Sequence, residues 1–235
     1  MTLIEQIKAV FELRDFLFKG LGISLLIAFS AVVMGFIIGV IMAMIKISPK
    51  NNLIIKILDK FADLYITIIR GTPMLVQLLI MSGVVLVSFE FKPTNILVPI
   101  LAFGINSGAY MAEIIRSGIS SVDKGQMEAG RSLGLSWTTT MFKIVIPQAI
   151  KVVIPTIFNE IISLVKETSV VAYIALRING EQVWDLLGYA ENMGLYNAPI
   201  YMALIFTVAL IFLVVVLLLT FIQKFIERRL SRNEG

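Results

Sequence analysis

The side chains able to do chemistry in this sequence are few, and they stand in unusual company. Gln77, Asn106, Asn159 and Glu160 are each embedded in long apolar stretches, with Lys166 and Glu167 a little beyond. A polar group surrounded by hydrocarbon costs several kcal/mol unless it is paired or used. The chemistry these residues offer is binding. A carboxylate such as Glu160 can hold an ammonium or a cationic side chain, and the amides of Gln77, Asn106 and Asn159 can donate and accept. All four also fit a plainer role, a buried hydrogen bond between neighbouring helices. The chain has no His and no Cys. That removes the usual general base, thiolate catalysis, disulfides and the commonest metal ligands, so no metal site is expected. No G-x-x-x-x-G-K-[ST] loop occurs, and the glycines of 125–134 lack the Lys-Ser/Thr ending, so no nucleotide is expected on this chain.

The elements that must position these groups are long and apolar. Of 235 residues, 58% are hydrophobic and only 15% charged. Soluble domains carry about 25% charge, and disorder is excluded by the same composition. Uncharged runs cover 20–45, 71–89, 93–112 and 192–223. A helix needs about 20 mostly apolar residues to cross a bilayer. A fifth stretch, 148–171, is mostly apolar but carries Lys151, Glu160, Lys166 and Glu167 around Pro155. The sequence therefore predicts an all-α membrane protein with five spans, at about 20–45, 71–89, 95–116, 148–171 and 199–223. Glu160 falls near the middle of the fourth. Pro155 is expected to open that helix and free backbone groups for a ligand. Lys166 and Glu167 fall near its outer end.

The cations sort with five crossings. Lys46, Lys50, Lys56, Lys60 and Arg70 lie between spans 1 and 2. Arg116, Lys124, Arg131 and Lys143 lie between spans 3 and 4, with Lys151 at the start of span 4, and Lys224, Arg228, Arg229 and Arg232 follow span 5. Lys8, Arg14, Lys19, Lys92 and Arg177 are left for the other side. By the positive-inside rule the N-terminus is outside and the C-terminus cytoplasmic. The net charge of +4 is thus a sorting signal and gives no reason to expect nucleic acid. Residues 1–19 alternate Leu3, Ile4, Ile7, Val10, Phe11 and Phe18 with charged positions, the pattern of an amphipathic helix lying in the interface with membrane lipid.

Between spans 3 and 4, residues 117–147 are distinctive. Ser121 or Asp123 can cap a short helix over 124–133 that stops at Gly134. A second helix can begin at Ser136 and run toward Ile146, with Pro147 breaking it or opening span 4. A docking knob and a plain connecting loop both fit this segment.

The order Glu128-Ala129-Gly130, three residues, Gly134, nine residues, Ile144-Val145-Ile146-Pro147 resembles the EAA loop of ABC importer permeases. Gly130 stands where Ala is usual, which should loosen the short helix, and Ile146 where Leu is usual. Other motifs resemble those of polar amino-acid permeases. These are Arg70-Gly71-Thr72-Pro73-Met74-Leu75-Val76-Gln77, then Ala109-Tyr110-Met111-Ala112-Glu113 with Arg116, Gly118-Ile119 and Lys124-Gly125-Gln126. The last runs from Asn159 through Ile162, Leu164 and Lys166-Glu167-Thr168-Ser169, with Glu167 in place of Asp. The resemblance spans nearly the whole chain.

The resemblance implies a type I importer permease, residues 20–235, in the inner membrane of a bacterium. It would pair with a second permease, the same chain or a related one, and with two ATPase subunits that carry ATP and Mg. An extracytoplasmic binding protein would deliver an amino acid. Glu128, Ala129, Gly130, Arg131 and Gly134 would then couple to the ATPase, with Glu128 making a polar contact and Arg131 adding an ion pair. Lys166 and Glu167 would serve as a gate or in packing. The Glu160 carboxylate favours a cationic or polar zwitterionic substrate over an anionic one. Glu113 and Arg116, three apart, are expected to pair on one helix face.

Overall fold

The computed structural model describes residues 2–88, 95–174, 176–178, 180–196 and 198–231. Phe89, Lys92 and Arg232, each used in the sequence reading, lie outside these residues. The chain is mostly helical. Four helices are long and apolar enough to cross a membrane: Arg14–Ile47, Leu97–Ser120, Trp137–Tyr173 and Ala198–Leu230. The pair Leu53–Arg70 and Met74–Val84, bent by 108°, adds a fifth if it is one broken span.

An N-terminal helix, α1 (Leu3–Glu12), is followed after Leu13 by the long α2 (Arg14–Ile47). The amphipathic stretch expected over 1–19 is therefore divided: Arg14 to Lys19 form the first turns of α2. Val10 and Leu17 are both buried against Leu186, Ile200, Leu204 and Val208, so apolar packing claims both sides of the break.

Helix α3 (Leu53–Arg70) begins on Asn52, whose side chain accepts from the Ile55 N–H. The sequence reading treated this stretch as a charged connection. Its apolar residues recur at helical spacing and its charges gather on one face, where Asp59 binds Lys46 and Lys50 of the preceding segment at 3.1 and 2.6 Å. Gly71 caps α3 and the chain turns sharply into α4 (Met74–Ser88). The span expected over 71–89 is thus only the second arm of a bent pair. Pro73 lies between the two arms, and α4 begins at the next residue.

Helix α5 (Leu97–Ser120) is the centre of the molecule, and α2 lies directly against it. The contact surface is built of small residues. Ala28, Ala31, Ala43, Ala109 and Ala112 are fully buried. At Gly35 an added Cβ would fall 2.8 Å from Ser107, and at Gly39 it would overlap Met111. With hydrocarbon on the outside, helices gain most from such close backbone approach.

After α5 come the short helices α6 (Lys124–Ser132) and α7 (Trp137–Thr140). A π-helical turn at Met141–Val145 then leads into α8 (Ile146–Glu167). Of the two roles open to Pro147, the structure has the second: it stands in the first turn of α8 and opens that helix, directly after the π-turn. The Ile146 N–H bonds the Met141 carbonyl, and a π-turn gives a ring and a missing donor more room than an α-turn. Pro155 leaves the helix unbroken: α8 stays α-helical on both sides of it. A 3₁₀ turn (Thr168–Tyr173) and a hairpin of β1 (Leu176–Ile178) and β2 (Glu181–Val183) lead to α9 (Leu186–Tyr196) and the long α10 (Ala198–Ser231).

Asp185 opens α9. Fully buried, it accepts from Gly188 and Leu187 N–H groups at 3.1 Å each, while the Leu186 N–H donates to Ser24 of α2 at 3.1 Å. Burial pushes the Asp185 carboxyl from about 3.8 up to about 7, with the nearby Glu191 adding to the shift and the two amides opposing it. The fold favours the neutral acid. That contribution is complete below about pH 4 and is lost as the pH rises through 7. Asp185→Asn should therefore remove a component of up to about 1.4 kcal/mol per pH unit. Detergent-solubilised wild type and variant, melted at pH values from 4 to 8, should converge at the acid end, with the variant the more stable at pH 8. Parallel curves would contradict this.

Candidate functional site

Two regions carry the residues singled out from sequence. The first is the knob formed by α6 and α7. Asp123 caps α6, its side chain accepting the Gly125 N–H at 2.6 Å. The helix closes with a double turn: Leu135 N–H to Gly130 O at 3.1 Å and Gly134 N–H to Arg131 O at 3.0 Å. Gly134 sits at φ +83°, a conformation that other residues resist. Ser136 then caps α7 through the Thr139 N–H at 3.0 Å. The Arg131 guanidinium lies on the Leu135 carbonyl at 2.7 Å, so it fastens the turn.

Gly130, expected to loosen α6, does something else. It is the buried residue of that helix, and an added Cβ would come within 2.5 Å of Thr140 Cγ2. Its bare face lets α6 close on α7. The knob stands on a small apolar cluster of Ile119, Met141, Val145 and Ala149, and Gln148 of α8 reaches Gln126 of α6 at 3.2 Å. On the outer surface Glu128 and Ala129 are exposed and Leu133 is 82% exposed. Glu128 makes no hydrogen bond or ion pair among the described residues.

The second region lies along α5, on the sides that face α3, α4 and α8, and the four expected path residues do not converge there. Gln77 spends its amide on the bend between α3 and α4, donating to Ile69 O at 2.7 Å, Thr72 O at 3.1 Å and Thr72 Oγ1 at 2.7 Å. Its carbonyl accepts from Asn106 at 2.9 Å. These two amides hold the broken helix to α5, the plainer of their two readings. The adjoining cavity of about 300 Å³ is otherwise apolar, lined by residues such as Ile68, Val76, Ile80 and Ile105. Asn159 faces away from it, accepting from Gln223 of α10 at 3.1 Å.

Glu160 stands apart from these. It is half-buried on α8, beside Ser107 of α5 and within electrostatic reach of Arg70 and Glu167. The Ser107 hydroxyl is fully buried, with the Glu160 carboxylate as its polar neighbour. Arg70, at the end of α3, lies over the Tyr110 ring of α5 at 5.2 Å. Arg116 grips Glu113 through both oxygens, one bond at 2.8 Å, as their spacing predicts. Sequence reasoning did not single out Ser107 or Tyr110. Their spacing of three on one helix, in register with Glu113, was the available signal. Lys166 and Glu167 are exposed at the end of α8. Among the described residues no cluster of acidic side chains could hold a metal ion.

Long apolar helices around a small-residue core, with a capped knob set between two of them, define a multi-pass membrane protein. Residues 35–232 match the family model of the binding-protein-dependent transport system inner membrane component. The arginine transport system permease protein ArtQ of Bacillus subtilis is 35% identical over 93% of this chain and 94% of its own. The putative glutamine transport system permease protein GlnP of Rickettsia bellii is 36% identical over 92% and 93%. Among solved structures, one titled as an amino acid ABC transporter with histidines superposes with a TM-score of 0.82 at 34% identity, covering 97% of this chain and 99% of that one. The MetNI methionine ABC transporter superposes at 0.75 with 18% identity over 93% and 98%, a likeness of fold. The chain belongs to the family of binding-protein-dependent transport system inner membrane components. It is a permease subunit of the type I importer fold and not an enzyme; ATP hydrolysis belongs to a partner ATPase.

The Gly130–Thr140 contact yields a direct test. Gly130→Ala, although it installs the residue usual at this position, should destabilise the knob by about 1–3 kcal/mol through overpacking. Adding Thr140→Ser, which deletes the colliding methyl, should restore it. Hydrogen exchange of the 124–140 amides reads the effect. Equal protection in Gly130→Ala and wild type would show that the contact is loose.

Proposed function

We propose that this chain is the membrane half of an ATP-driven importer that moves a polar or cationic amino acid into the cytoplasm by alternating access. The observation that carries the reading is the family match over 35–232 together with a rigidly capped knob that leaves Glu128 free for a partner. Two ATPase subunits, carrying ATP and Mg, dock on the knobs of two permease subunits, this chain twice or this chain with a related one. A binding protein delivers the amino acid from outside. The N-terminus faces outward and the C-terminus the cytoplasm of a bacterial inner membrane, in line with the sorting of Lys and Arg.

In this mechanism Glu128, Ala129, Gly130, Arg131 and Gly134 form the coupling surface, and the short helix passes the partner's rotation on to the spans as a lever. Glu160 faces the substrate path. Gln77, Asn106 and Asn159 shape that path by holding α3, α4, α5, α8 and α10 in register. Lys166 and Glu167 act at the outer end of α8, as a gate or in its packing. ArtQ and GlnP are named for arginine and glutamine, which is consistent with a cationic or polar amino acid beside a carboxylate.

Two measurements test this. Glu128→Arg combined with Gly134→Asp should leave the protein in the membrane but separate ATP hydrolysis from uptake in reconstituted vesicles; unchanged transport would remove the coupling role. Glu160→Ala should weaken uptake of a cationic amino acid by about tenfold, and of a neutral one less, because the lost carboxylate attracts each positive group of the substrate. Unaltered uptake of both would exclude Glu160 from the path.

A further inference from the structure

We propose that the cleft between α1, the start of α2 and α10 seats an acyl chain of a membrane phospholipid, and that Arg14 at its mouth holds the phosphate of the same molecule. This site is separate from both the knob and the amino-acid path.

The cleft is a cavity of about 360 Å³ lined by Ile7 and Phe11 of α1, Leu17 and Phe18 of α2, and Ile211 of α10. Its volume lies at the lower end of the range of small-molecule sites, about 300–1,000 Å³, and its walls suit a hydrocarbon chain. Two polar residues also line it, Arg14 and Thr207. Thr207 turns its hydroxyl back onto the Ala203 carbonyl at 2.8 Å. Among the lining residues, Arg14 is the one with donors to spare.

The break between α1 and α2 makes the cleft. Val10 and Leu17, on either side of the break, are buried against Leu204 and Val208 of α10, which pins both helices there. Ile7, Phe11 and Phe18 are left 60% or more exposed. Glu5, Lys8 and Glu12, spaced by three and four, form another face of α1 and are exposed too. A helix with two such faces lies in the plane of the membrane interface, its charges toward water and its large apolar residues in lipid. The cleft therefore opens onto hydrocarbon with its mouth at headgroup depth. Exposed Val214 and Leu218 continue the stripe of Thr207 and Ile211 down α10. From Ile211 to Leu218 the apolar track runs about 10 Å further, at 1.5 Å per residue.

The guanidinium supplies the polar end. It stacks on Phe11 at 4.8 Å. Its Nη1 donates to the Phe11 carbonyl at 3.5 Å, and its Nε lies 3.7 Å from an Asp15 carboxylate whose side chain is 86% exposed. Both contacts are long, and Nη2 makes no hydrogen bond among the described residues. Stacking fixes the plane of the group and leaves an N–H edge for the oxygens of a phosphate. A phospholipid carries that anion at the head of its acyl chains, the same order in which Arg14 and the apolar walls stand.

The test reconstitutes the permease with its partner ATPase in phosphatidylcholine vesicles. They hold a trace of phosphatidylcholine bearing a diazirine on one acyl chain, and crosslinks are mapped after illumination. Labelling of residues 7–18 and 207–211 should exceed that of comparably exposed Val33 and Ile37 of α2 and Leu217 and Phe221 of α10 by about threefold or more. In Arg14→Gln cleft labelling should fall about threefold to fivefold, the worth of one half-exposed charge contact, and Arg14→Lys should keep most of it. Labelling by a diazirine diacylglycerol, which lacks the phosphate, should be insensitive to Arg14→Gln. Thr207→Phe, which fills the cleft, should lower labelling by both probes. Even labelling of all exposed apolar faces overturns the site, since the cleft would then be ordinary bilayer contact. Phospholipid labelling unchanged in Arg14→Gln overturns the phosphate contact and the proposal with it. The chain has no cysteine, so Phe11→Cys is a clean probe of other occupants. A disulfide between two copies of that variant, or its protection from a membrane-soluble maleimide, would show the face covered by protein and overturn the proposal as well.

Discussion

Helices α2 and α5 approach until glycine and alanine backbones meet, and little side-chain volume separates them. Gly35 lies on Ser107 and Gly39 on Met111, with Ala28, Ala31, Ala43, Ala109 and Ala112 closing the remaining space. In a bilayer the lipid chains are as apolar as the side chains, so the gain comes from packing density. This seam decides where the polar groups go. With one flank of α5 sealed by α2, its remaining sides must carry Asn106, Tyr110, Glu113 and Arg116, and α3, α4 and α8 are the elements that receive them.

That arrangement explains why the polar interior divides into two kinds of group. Gln77 and Asn106 are fully spent, one holding a bent helix and the other joining it to α5. Asn159 and Gln223 likewise tie α8 to α10. Satisfied amides of this sort stabilise helix contacts by a fraction of a kcal/mol up to about 2 kcal/mol each. Glu160 is different: it lies half-buried beside the Ser107 hydroxyl and has no ion pair among the described residues. In an apolar molecule the unsatisfied groups are the informative ones.

How much of this was legible in the sequence depended on how local the cause was. The cap at Asp123, the stop at Gly134 and the start at Ser136 follow from residues within a turn of one another, and the structure has all three. The Glu113–Arg116 pair is equally local. Helix α3 was missed because its lysines were counted with a connection between spans, although Lys56, Asp59, Lys60 and Asp63 repeat on one helical face, from which Asp59 reaches back to Lys46 and Lys50. Pro147 and Pro155 were expected to break or open a helix, as isolated prolines do. The first does open one, in the first turn of α8 just after the π-turn, whereas the second is carried within a helix packed against α5 and α10. Gly130 looked like a weak point because propensity counts only the helix it is in, whereas its use is to admit Thr140 from the next one.

These findings change how coupling from the knob to the interior can work. Because neither proline interrupts the chain, one continuous helical run, Trp137–Tyr173, begins within the knob and carries Glu160 further along. Its lower end is locked to α6 by the Gly130–Thr140 contact and by Gln126–Gln148, and its upper end lies against α5 beside Ser107. A displacement imposed on α6 therefore reaches Glu160 through a single stiff element, without crossing a loop. The softest place along that element is the π-turn at Met141–Val145, where the regular hydrogen-bond ladder is already interrupted. Arg70 sits on a separate body, the bent pair of α3 and α4. Tilting of α8 against that body would change the separation of Arg70 and Glu160.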